Sequence, residues 1–222
     1  MDRDGKPSAE NQPGSEGAVG RLRPRLGCKF RPDPFLRMCN LCGMVIWRPT
    51  VRLAAKLRLQ LAETALRSDT RLGDWYAADL TLGRCRLVLC VSALSRLGVV
   101  LPAAPYATLP ERLGPAVGRL LLHLGADARA VEREVGAMGT IAVAKTCSRS
   151  VLGTIKEFSW MLQLRHEAEP VTPELDPLLL GVELSGTVCM PLEDTFPRDA
   201  ALRLLSASNG PVTGRRSDGS PV

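Results

Sequence analysis

The chain has 222 residues, 45% of them apolar and only 4% aromatic, and a formal net charge of +6. That length holds one ordinary domain with extensions, and the apolar share supports an aliphatic core built on Leu, Val and Ala. The charge argues against a nucleic-acid footprint, because residues 44–210 carry 19 Lys/Arg against 17 Asp/Glu and most of the remaining surplus sits in residues 1–43.

Residues 1–27 are Gly, Pro, Ser and charge, too poor in apolar side chains to offset the entropy of ordering, and residues 28–43 have no usable period. We expect a disordered or non-native extension over 1–43 and a single domain over 44–206. Met44–Pro49 reads as a short strand that Pro49 ends. Thr50 is placed to cap a helix whose Leu53, Leu57 and Leu61 share a face, with Ser68-Asp69-Thr70 ending it. Tyr76–Gly83 and Cys85–Ser92 read as strands joined by a turn at Gly83-Arg84, the second apolar enough to be buried on both faces. Leu97–Leu101 completes a β-meander.

Thr108-Leu109-Pro110-Glu111 has the spacing of a capping box, opening a helical face at Leu109, Leu113, Val117, Leu121 and Leu124. Pro115 lies inside that pattern and is expected to kink it. Asp127 caps a second helix carrying Val131, Val135 and Met138, and Gly139 stops it. Thr140–Thr146 alternates as a strand. Ser148 or Ser150 caps the next helix, whose core face is Val151, Ile155, Phe158 and Leu162. Asp176-Pro177 signals another helix start, but Gly181 and Gly186 leave Leu178–Leu184 open between helix and strand. Phe196-Pro197 opens a last helix with Leu202, Leu204 and Leu205, and residues 207–222 read as a disordered tail. The expected fold is α+β, a mainly antiparallel sheet of about four to five strands with helices packed mostly on one face.

Several blocks occur in a telling order: Leu72-Gly73-Asp74-Trp75-Tyr76-Ala77, Val99-Val100-Leu101-Pro102, Ala144-Lys145-Thr146, Ser148-Arg149-Ser150-Val151-Leu152-Gly153 and Glu157-Phe158. Over residues 44 to 205 the chain resembles a small bacterial domain family whose members carry no assigned function. The resemblance implies a fold type and a domain start at Met44, and no chemistry. Members often carry Asn-Glu where this chain has Val91-Ser92, and Asn-Glu-Phe where it has Lys156-Glu157-Phe158. If those Asn residues form a polar site, this chain lacks part of it.

The seven cysteines (28, 39, 42, 85, 90, 147 and 189) are odd in number and scattered, which fits reduced thiols in a cytosolic protein. Cys39-x-x-Cys42 with Cys28 lacks the fourth ligand of a structural zinc site, so no metal and no cofactor is expected. Cys147 lies at a strand-to-helix junction without a histidine nearby in sequence, and reads as a semi-buried structural thiol rather than a nucleophile. The same junction offers a candidate anion or ligand site at Lys145, Ser148, Arg149 and Ser150, because amides at a helix start point outward; Trp75 and Asp74 are placed beside it. Arg149 is expected either to tie the helix to the sheet, by pairing a carboxylate such as Asp74 or bonding strand-end carbonyls, or to hold an anion. No carboxylate pair is spaced for acid–base work, and no glycine-rich phosphate loop is present.

The N-terminal text lacks the hydrophobic centre of a secretory signal, and no apolar run approaches the ~18–20 residues that span a bilayer. The functional expectation is therefore a non-catalytic binding or regulatory protein of the bacterial cytoplasm, acting through a protein partner from a neighbouring gene, with no membrane contact. The alternative is an enzyme or nucleotide/anion binder using the Lys145–Ser150 junction. A third is a weak, non-specific nucleic-acid binder whose basic tail makes the contacts. An exposed apolar patch favours the first, and a deep pocket beside Trp75 and Arg149 favours the second.

Overall fold

The computed structural model describes residues 43–61, 63, 66–168, 176–190, 192 and 196–207. The expectations for residues 1–42 and 208–222, and for Cys28, Cys39 and Cys42, lie outside the described residues. In chain order the elements are β1 (Met44–Pro49), α1 (Val51–Leu57), β2 (Trp75–Leu82), β3 (Cys85–Ser92), β4 (Gly98–Pro102), a 3-10 turn at Tyr106–Thr108, α2 (Leu113–His123), α3 (Ala128–Ala137), β5 (Thr140–Val143), α4 (Arg149–Ala168), α5 (Pro177–Ser185) and α6 (Pro197–Ser206).

The five strands form one sheet in the order β4-β3-β2-β1-β5. β2, β3 and β4 make the expected antiparallel meander, with Ala77 opposite Cys90 and Cys90 opposite Val99. β1 pairs in parallel with both β2 and β5, Trp47 lying beside Trp75 on one side and Val143 on the other. Those parallel pairs follow from connectivity. β1 reaches β2 through α1, and β5 returns only after α2 and α3, so neither link is a hairpin.

Helices cover both faces, where the expectation had them mostly on one. On the first face Trp47, Trp75, Val88 and Val99 pack with Leu53 of α1, Val117 and Leu121 of α2, Val131 of α3 and Leu205 of α6. On the second face Tyr76, Leu80, Leu89 and Val100 pack with Ile155, Phe158 and Leu162 of α4 and Leu180 and Leu184 of α5. The alternation Trp75/Tyr76 and Val88/Leu89 is apolar on both sides, so a sheet covered once would have left one set in water. α5 is a helix, resolving the open reading, and its two glycine contacts explain how it closes on β4. A Cβ at Gly181 would lie 3.2 Å from the Gly98 carbonyl oxygen, and one at Gly98 would lie 3.0 Å from Leu184 Cδ1.

Four local expectations are also corrected. α1 stops at Leu57 because Arg58 turns left-handed (φ 54°) and the Leu59 amide closes back on the Ala54 carbonyl, so Leu61 falls outside it. Thr50 starts α1 without a side-chain cap, and the capping box at Thr108 does not form, since the chain makes a 3-10 turn there and α2 begins at Leu113. Pro115 consequently sits in the first turn of α2, where amides have no helical partner, and gives no reason for a kink. Asp127, Ser148 and Asp176 do cap, accepting from the amides of Ala130, Val151 and Leu178 at 3.0, 3.4 and 2.9 Å.

Candidate functional site

The parallel pairing sets the ends of β1 and β5 beside the start of β2, and the polar side chains of the second face gather there. Arg48, one residue from the end of β1, points to that face between Trp47 and Pro49. Its Nε donates to Asp74 Oδ2 at 2.6 Å, and its Nη1 donates to the backbone carbonyl of Lys145, just past β5. The guanidinium also stands 5.9 Å from the centre of the Tyr76 ring. Asp74 Oδ1 accepts from Ser68 Oγ at 2.6 Å, while that hydroxyl accepts from the Ile46 amide at 2.9 Å. One ion pair therefore ties β1, the segment before β2 and the exit of β5 together.

Burial on its own would lower the Arg48 pKa, but the hydrogen bond and charge of Asp74 outweigh it and the net shift is upward. Tyr76 Oη lies 3.0 Å from Cys147 Sγ. Burial first, and the Cys147 hydrogen bond second, push the phenol up to about 12, so it keeps its proton at neutral pH.

The junction residues named from sequence sit around this clamp. Ser148 caps α4. Lys145 is exposed and pairs with Glu63 at 3.2 Å. Ser150 Oγ accepts from Arg96 Nη2 at 3.1 Å. Arg149 is exposed, with no hydrogen-bond or ion-pair partner among the described residues, and the carboxylate considered for it, Asp74, is taken by Arg48. Trp75 is not part of the group. It is fully buried on the opposite face of the sheet, with its indole nitrogen unpaired.

Sequence reasoning missed Arg48, Ser68, Tyr76 and Arg96. Arg48 carried a usable signal, a charge inside strand text that is otherwise apolar. Arg96 has positive φ (58°), and its Nε and Nη1 are buried without a partner. Burial lowers its pKa.

The arrangement holds structure more than it offers reactivity. Both oxygens of Asp74 already accept hydrogen bonds. On the other face Glu134, 2% exposed, spends its carboxylate on the amides of Arg71 and Leu72 at 2.8 and 3.0 Å. Neither carboxylate stands free to take a substrate proton. Among the described residues, no group of three or more His, Cys, Asp or Glu side chains is placed to hold a metal ion, and no helix is long and apolar enough to cross a membrane.

The outer face of α4 has a different character. Its inner positions Val151, Ile155, Phe158 and Leu162 are buried, while Trp160 is 60% exposed and Leu164, one turn on, 43%. In the loop after α5, Val188 and Met190 are exposed too.

Residues 46–200 match the model of a family described as a domain of unknown function, DUF6933. No curated protein and no solved structure matches the chain.

Proposed function

We propose, from the premise that this chain belongs to the DUF6933 family, that it is a non-catalytic binding or regulatory domain of the bacterial cytoplasm that acts through a protein partner held on the outer face of α4. The observation that carries this reading is Trp160. The other two tryptophans of the chain, Trp47 and Trp75, are buried at 1% and 0% exposure, whereas Trp160 stands 60% in water beside Leu164. Burying such side chains gives back roughly 1.5–3 kcal/mol each, and tryptophan is enriched among residues that dominate interface energy. The engagement of Asp74 and Glu134 in structural bonds supports a binding role over a catalytic one.

A second reading, a small-anion site at the Lys145–Ser150 junction, is favoured by two guanidinium nitrogens of Arg96 and by Arg149, which have no partner among the described residues. A photo-crosslinking residue at position 160, in the native host, tests the first reading. We expect a discrete protein adduct that is missing when the probe sits at Arg129. No adduct at 160, together with a phosphate-dependent rise in melting temperature that Arg149→Ala removes, would replace the first reading with the second.

A further inference from the structure

We infer that the partner on α4 is a second copy of this chain, seated antiparallel on the same helix; this rests on the α4 reading and names its occupant. At about 100° per residue, Trp160 points opposite the buried Ile155–Phe158 face, and Lys156 and Glu167 share one flank of the exposed stripe, with Leu164 and Glu157 on the other side. Lys156 and Glu167 are exposed and have no ion-pair partner among the described residues.

A twofold axis through an antiparallel helix pair brings each residue opposite one equally far beyond the axis, and same-side flanks meet. With the axis beside Leu162, Trp160 meets the partner's Leu164 and Leu164 meets the partner's Trp160. The midpoint of Lys156 and Glu167 falls in the same turn, so the same axis sets Lys156 against the partner's Glu167, twice by symmetry. A parallel pairing would instead stack Lys156 on its own copy. One register therefore satisfies the apolar pair and sets Lys156 against Glu167, while Glu157 stays on the opposite flank beside Leu164.

The area available makes the dimer weak. α4 has 20 residues, hence a length of roughly 30 Å, and at about 10 Å width the stripe covers on the order of 300 Å² per copy. Stable interfaces bury about 800 Å² per partner, so this dimer is transient and forms only at high protein concentration.

Sedimentation of the full chain across about 1–300 µM reads this directly, and charge reversal shows which surface is used. Lys156→Glu and Glu167→Lys should each weaken dimerisation about tenfold, by replacing two attractive pairs with two repulsive ones. The double exchange should restore it, and Trp160→Ala should abolish it. A chain that stays monomeric at 300 µM overturns the inference, as does a dimer that the charge exchanges leave unchanged. A position-160 crosslink to a different protein in the host would sink the second copy while sparing the α4 reading.

Discussion

Asp74→Ala removes one half of the clamp that joins β1 to the β5–α4 junction. It leaves the Arg48 guanidinium, with a side chain 7% exposed, without its carboxylate, and Ser68 Oγ without its acceptor. Breaking a buried ion pair from one side costs about 3–5 kcal/mol. The Asp74 side chain is 20% exposed, so water screens part of the loss, and we expect about 2–3 kcal/mol. For a domain of this size that is a fall in melting temperature of about 5–10 °C. Urea unfolding followed by circular dichroism should show a lower midpoint with an unchanged slope. Asp74→Asn keeps an acceptor for Ser68 and should lose less. In an Arg48→Met background the cost of Asp74→Ala should shrink, giving a coupling of about 1–3 kcal/mol. A loss under about 0.5 kcal/mol, or no coupling to Arg48, would refute the clamp.

Burial raises the Glu134 pKa above 4.5 against the opposing pull of the Arg71 and Leu72 amides. A raised carboxyl pKa contributes stability that is full below its unfolded value and lost as pH rises through the folded one, so the advantage of the wild type over Glu134→Ala should shrink from pH 4.5 to pH 7; an advantage that grows contradicts this. Gly73 has φ +75° and a Cβ there would lie 2.9 Å from Leu94 Cγ, so Gly73→Ala should cost more than about 1 kcal/mol in urea unfolding. Maleimide labelling of the native protein, read by peptide mass spectrometry, should modify exposed Cys147 and spare buried Cys90, whose thiol burial pushes up to about 12. Trp75→Ala should cost about 3–5 kcal/mol, whereas Trp160→Ala should change stability by less than about 0.5 kcal/mol.

Local chemistry made much of this fold readable. The meander, the caps at Asp127, Ser148 and Asp176, and the buried face of α4 all depend on residues a few positions apart. Two covered faces were readable in Cys85–Ser92, which is apolar on both sides, although helices mostly on one face were expected. The parallel placement of β1 was not, because it depends on where the chain returns after α1 and after α3. For the same reason Arg48 could not be matched to Asp74, 26 residues away, or to the Lys145 carbonyl, 97 away. Leu57 and Leu61 kept helical spacing past the true end of α1, since nothing in the period shows that Arg58 turns left-handed. Trp160 went unnoticed because an aromatic within helical text reads as core until the buried face is fixed.

The central claim, that the outer face of α4 is covered when the protein works, is tested most directly by fluorine NMR of 5-fluorotryptophan-labelled protein inside the native host. Trp160→Phe assigns one resonance. That resonance should shift or broaden in the cell relative to dilute purified protein, while those of the buried Trp47 and Trp75 keep their positions. A Trp160 resonance that is the same in the cell and in dilute solution would contradict the account.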